Sequence, residues 1–434
     1  MVESSSTLQP SHPTTAPAQV KNLGWRVTLA GLGINLALGV LYSWSVVSGG
    51  VPDAWGWSQF HKNLPYSVAC LIFSVVMVGA GRMQDRLGPR LVASLGGLLV
   101  GGGLILASFS TSPLGYVVGF GLLAGAGFGF GYASATPPAV KWFPPARTGL
   151  IAGLVVSGFG LASVYIAPLT QWLIGRFGLA SAVLILGFAF LVIVTGLAQL
   201  LQPPPAGYVP PGTPARPLTA GPQRREDYRP REMLGTWQFY VLWFMFACGA
   251  GAGLMIIAII VKLSKQFSQA AAADGVQWGF LLVAALAVGN GAGRIIAGML
   301  SDRIGRKMTL LIAFVFQALM LVWLSQMTSG AATANFGLLA AVAAMIGANY
   351  GANLSLFPSV TKDFYGLKNF GVNYGLVFTA WGLGGFVLAL VSGIVYDRTS
   401  SFQFAYYGSA ALLVAAALVT LILKAPHHVE HELA

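Results

Sequence analysis

Between residues 25 and 424 the chain is a succession of apolar stretches separated by short polar connections. A helix of about twenty apolar residues crosses the roughly 30 Å hydrocarbon layer of a bilayer, and it satisfies its own backbone hydrogen bonds there. The stretches fall at 25–48, 64–81, 91–110, 114–138, 149–173, 179–200, 236–261, 277–299, 308–328, 335–358, 372–395 and 403–424. They predict an all-α membrane protein of about twelve transmembrane helices. Composition removes the soluble alternative: charged residues are 8% and hydrophobic residues 56% of the chain, against about 25% and about 45–50% in soluble domains. The net charge of +12 does not point to nucleic acid, because the basic residues lie between apolar segments and not on one soluble surface. Cys70 and Cys248 both sit within apolar runs, so neither a disulfide framework nor a metal site is legible, and no cofactor is expected.

The sequence between the spans sets the organisation. Residues 1–22 are rich in Ser, Thr and Pro and predict a disordered tail, and 425–434 a second short tail. A proline-rich, charged segment at 202–234 cannot continue a helix. It divides a six-helix bundle at 23–201 from another at 235–424. With both termini in the cytoplasm, 18 of the 24 basic residues fall on the cytoplasmic side and 5 on the other, which leaves Arg294 unassigned. This bias fixes the expected orientation; the expected location is the inner membrane, as a multi-pass protein. The halves also repeat: GRMQDRLGPR at 81–90 returns as GMLSDRIGRK at 298–307, each closing the second helix of its six. A weaker match links 135–161 with 354–386. Parallel six-helix repeats are a transporter plan, with the substrate near the midplane between them.

The paired Asp/Arg loops, with Asp85 and Asp302 at the acidic position, resemble the motif of the major facilitator superfamily. Within it, NGAGRIIAGMLSDRIGRK, AVKWFPPARTGLIAGLVVSGFGLASVYIAPL and NYGLVFTAWGLGG are similar to the oxalate/formate antiporter family, itself similar to the monocarboxylate transporters. The resemblance implies the major facilitator fold, a small carboxylate substrate, and either proton symport or anion exchange. It also implies a gating role for the two loops, here Asp85, Arg86 and Arg90 with Asp302, Arg303 and Arg306. Their carboxylates can accept from nearby arginines or cap a neighbouring helix.

Arg294 is the sharpest single feature. It lies eight residues before Asp302, about 12 Å into the layer at 1.5 Å per residue. An arginine at that depth costs at least about 2.5–3.5 kcal/mol. All twelve acidic residues lie outside the spans, so the expected counter-ion is the carboxylate of a substrate, which a guanidinium grips with two parallel hydrogen bonds. The alternative is a side chain that snorkels to the cytoplasmic surface or is satisfied by helix-end carbonyls. Asn290, one turn earlier, shares its face. The resemblance to animal monocarboxylate transporters would put a proton-accepting aspartate there. With an amide at 290 and all five histidines in loops or tails, a proton would travel on the substrate; otherwise the protein exchanges anions.

Tyr42, Tyr132 and Tyr350 are mid-span hydroxyls that need partners. By resemblance they line the cavity, with Phe378 and Trp381 as its apolar wall. The oxalate transporter carries a lysine at what resembles position 381, and one cation suits one carboxylate. A monocarboxylate such as lactate, pyruvate or formate is therefore expected over a dicarboxylate, in a protein functional as a monomer.

The glycine-rich runs GLLAGAGFGFG and VGNGAGR lie inside spans with no strand before them, which argues against nucleotide loops. Gly121, Gly125 and Gly129 have the spacing of helix-packing contacts. A membrane enzyme would need an acid/base pair, nucleophile or metal cluster, and none is legible within the spans. A carboxylate sensor would keep Arg294 but need an output domain.

Overall fold

A computed structural model of the chain describes residues 22–144, 147–205, 208–211, 227–270, 279–329, 336–366 and 369–426. The expected tails at 1–21 and 427–434 and the linker core at 212–226 lie outside the described residues, as do Lys21, Arg216, Arg224, Arg225 and Lys368 of the charge count. Eleven helices among the described residues are long and apolar enough to cross a membrane. They are α1 (Gly24–Gly49), α2 (Gln59–Leu87), α3 (Pro89–Ser108), α4 (Pro113–Val140), the double-length Leu150–Ala198, α7 (Trp237–Ser264), α8 (Gly279–Ile304), α9 (Arg306–Thr328), α10 (Phe336–Tyr365), α11 (Phe370–Thr399) and α12 (Gln403–Ile422).

The double-length stretch contains the missing span. Gly178 leaves helical geometry at φ 79° and ψ 167°, a region that costs glycine nothing. Ile174 lies beside Gly50 at one end of α1, whereas Leu197 lies beside Gly33 nearer the other, so the chain turns back at Gly178. We number the two arms α5 (150–177) and α6 (179–198). The gap expected between the spans at 149–173 and 179–200, which holds Arg176, brackets this turn.

Glycine lets the helices approach closely. Gly121, Gly125 and Gly129 of α4 meet Val68, Ala69 and Phe73 of α2, as their spacing predicts. The run VGNGAGR has the same explanation: Gly289 and Gly293 of α8 press on the backbone of α10 at Ala344 and Ala348, and Gly347 and Gly351 of α10 press back on Leu286 and Asn290. Small residues four apart on both helices permit this backbone contact.

The repeated loops have matching geometry. Gly88 (φ 84°) and Gly305 (φ 88°) occupy the same place in the two motifs, and both turn the chain with positive φ. The basic residue that ends each motif, two after the glycine, ties the loop to the last helix of its own six. Arg90 donates to the carbonyl of Leu201, just beyond α6, and Lys307 to that of Leu421 in α12. We call the side bearing these loops the loop face, and the opposite side the far face.

The first six spans meet the last six along two seams. In one, α2 runs antiparallel to α11, with Phe60 beside Gly393, Cys70 beside Gly385 and Ser74 beside Gly382. In the other, Leu161 of α5 packs against Gly291 of α8. The end of the linker docks on the last six: the carbonyl of Tyr228 accepts from the amides of Asn369 and Asn373, both at 3.0 Å.

Candidate substrate site

Arg294 sits at the α5–α8 seam, half-buried, one turn from the fully buried Asn290. Its Nε donates to Asn290 Oδ1 at 3.1 Å and its Nη1 to the backbone carbonyl of Val156 in α5 at 3.2 Å. Gly160 leaves room for it: a Cβ there would stand 3.3 Å from Nη2. No carboxylate pairs with Arg294 among the described residues, whose ion pairs lie elsewhere. The charge is held by neutral acceptors with donors to spare.

Because Arg294 Nε can only donate, the oxygen of Asn290 must face it and the amide nitrogen must face away. That nitrogen is buried without a partner. A water-sized cavity adjoins Asn290, bounded also by Tyr42, Ser163, Ile257, Ile260 and Leu286. A buried donor with no acceptor costs about 1–3 kcal/mol, which an incoming acceptor would recover.

The aromatic candidates gather at the same level. Tyr42 lies in a short 3₁₀ stretch, Gly39–Ser43, that interrupts α1. Its hydroxyl meets that of Tyr350 at 2.5 Å, and Trp381 Nε1 donates to Tyr350 at 2.8 Å. Trp381 stacks on Phe378 with centroids 5.0 Å apart, and Phe378 lies parallel to Tyr132 at 6.4 Å. Tyr132 neighbours the Arg294 guanidinium. Arg294, Asn290 and the five expected aromatic residues thus converge where the first and last six spans meet. Trp381 differs from the plain apolar wall expected of it, since its indole N–H fixes Tyr350.

Two residues of this cluster escaped the sequence reading. Phe73 of α2 stands edge-on to Trp381 at 5.1 Å, and Phe159 of α5 edge-on to Tyr42 at 5.0 Å. Phenylalanines in apolar spans carry no signal that separates them from lipid-facing ones.

A model of the Major Facilitator Superfamily matches residues 27–280 and 242–434, which together cover nearly the whole chain. The chain belongs to the major facilitator superfamily. Relatives within it include an uncharacterized MFS-type transporter, YhjX, of Escherichia coli (strain K12), 28% identical over 85% of this chain and 87% of its own. The oxalate:formate antiporter of Oxalobacter formigenes is 28% identical over 83% of this chain and 81% of its own. Monocarboxylate transporter 11 of Homo sapiens is 26% identical over 91% and 82%. This major facilitator chain is accordingly a transporter, with homologues named for small carboxylates.

The paired loops differ in their contacts. Asp302 pairs with Arg306 at 2.7 Å, and Arg306 reaches Asp363 in the last turn of α10 at 3.1 Å. In the first loop Pro89 stands where the second has Arg306, and Asp85 is exposed with no ion pair among the described residues. Arg90 turns to the end of α6 and also bonds Gln202 at 3.0 Å. Arg86 and Arg303 are exposed.

The far face is bridged instead. Both carboxylate oxygens of Asp397, at the end of α11, accept from the backbone amides of Gln59 and Phe60 at 2.8 and 2.9 Å. Asn63 donates to the carbonyl of Ala389 at 2.8 Å. Sequence reading placed Asp397 only as an acid outside the spans, because its partner is a helix end more than 330 residues away.

Proposed function

We propose that the chain is a secondary active transporter of small monocarboxylates, of the lactate, pyruvate or formate type, working by alternating access between bundles at 23–201 and 235–424. Both termini and the Asp/Arg loops lie on the cytoplasmic side of the inner membrane, and a monomer suffices. The observation that carries this reading is the unpaired guanidinium of Arg294 at the seam between the two sets of spans. Its remaining donors suit one carboxylate. Asn290 and Tyr132 stand beside it as further donors, while Tyr42, Tyr350, Phe378 and Trp381 wall the site.

Alternating access requires the anion to meet Arg294 from each side in turn. The cation lowers the cost of carrying the charge past the midplane, and neutral acceptors in place of a carboxylate leave it free to bind and release. With an amide at 290, proton coupling runs through the substrate's own carboxyl group. The second reading is anion exchange of the oxalate/formate type, favoured by the relative named for it. Against it stands Trp381, an indole engaged with Tyr350 where a second cation would be needed for a dianion.

Uptake of labelled lactate into proteoliposomes, with oxalate as competitor, tests both readings. Lactate should accumulate and oxalate compete poorly. Arg294→Gln should insert normally yet lose uptake and binding, and Arg294→Lys should recover little because the planar fork is gone. Normal affinity in the Gln variant would remove Arg294 from the site. Tighter binding of oxalate than of any monocarboxylate would favour the exchanger.

A further inference from the structure

We propose that Asp397 is a latch that holds the far face closed: its carboxylate caps the free amides of α2, and breaking that cap is a step in opening the path from that side. The inference rests on the alternating-access reading, not on the identity of the substrate.

The first amides of a helix have no partner within it and carry partial positive charge. Ser58 accepts from His61 within its own helix, and both oxygens of Asp397 accept from Gln59 and Phe60 across the seam. A carboxylate on two backbone amides makes charge-assisted bonds, stronger than neutral ones. One turn deeper the seam is bonded as well: Gln59 Nε2 donates to Asn63, and Asn63 donates onward to Ala389 and Ser392 of α11. Phe60 packs against Gly393, so the two backbones touch here. If the far ends of α2 and α11 separate, Asp397 must leave these amides, which then turn to water. The latch therefore biases the resting population towards the far-closed state by the difference between these bonds and hydration.

The protein carries its own reporter. Cys70 lies eleven residues beyond Gln59, about 16 Å along α2, fully buried in the same seam against Gly385. It lies between the latch and the layer of Phe73 and Trp381. Fraying of the first turn of α2 would not expose it, whereas separation of the seam would. Cys248, the other thiol, is in α7 two turns before Met255, on the face that meets Ser409 of α12, and serves as control.

The test measures the rate at which a polar methanethiosulfonate reagent modifies Cys70 in a Cys248→Ser background, with the protein in lipid nanodiscs so that both faces are open to reagent. Asp397→Ala should raise the rate roughly tenfold, and Asp397→Asn by less, since the amide keeps one acceptor. Cys248 in a Cys70→Ser background should react at its parent rate in all variants. An unchanged Cys70 rate in Asp397→Ala would overturn the latch, and so would an equal rise at Cys248, which would mean general loosening. Neither result bears on whether lactate is transported, so failure of this inference and failure of the functional reading are distinguishable.

Discussion

At the scale of residues, Arg294 depends on what its neighbours omit. Gly160 offers no side chain where the guanidinium lies, and Asn290 offers a neutral acceptor. Gly160→Val would put branched carbon where Nη2 now sits and turn the fork away from the seam. Carboxylate affinity should fall by at least about tenfold, an effect of the size expected when a charged hydrogen bond is lost, while the melting temperature in detergent stays near wild type because α5 remains helical. Binding of lactate at unchanged affinity would show that the site lies on another face of Arg294. The arginine and its amide neighbour were legible in the sequence through depth and spacing. Gly160 and the Val156 carbonyl were not, because they come from a helix more than 130 residues away.

At the scale of elements, glycine does two different jobs that the sequence writes with one letter. In the helices it allows backbone contact, as at Gly293 against Ala348. At Gly88 and Gly305 it supplies positive φ so that the chain can leave one span and enter the next. Gly305→Ala should therefore destabilise the protein by about 1 kcal/mol, the cost of a left-handed alanine. Gly298→Ala, in open space within helical α8, should be neutral or slightly stabilising. Thermal melts of the two variants give the comparison, and equal melting temperatures would contradict the assignment of strain to Gly305. The repeat itself was readable, and its positions keep matching roles where Arg90 and Lys307 tie back to α6 and α12. The symmetry breaks where Pro89 replaces the arginine that links α8 and α9 to Asp363.

At the scale of the whole molecule, the first and last six spans are joined at mid-depth by the Tyr42–Tyr350 contact and at the far face by Asn63 and Asp397. Tyr42→Phe removes a bridge between the two sets while leaving Tyr350 bonded to Trp381. The expected outcome is a change in transport rate with carboxylate affinity within about twofold of wild type, since the bridge acts on the balance of states and not on the anion. Paired measurements of equilibrium binding and initial uptake check this. A loss of affinity as large as that of Arg294→Gln would instead make Tyr42 a direct ligand.

The sequence by itself determined the solvent, the helical class and the superfamily, because a bilayer demands long apolar helices and the doubled Asp/Arg loop is local in the chain. It also singled out Arg294, since an arginine at that depth is costly wherever the helix packs. The tertiary structure decided what answers that charge and which aromatic rings surround it. It alone paired Asp397 with the start of α2. Each of these depends on surfaces brought together from opposite ends of the chain, and contacts at such separation leave no periodicity or spacing to read.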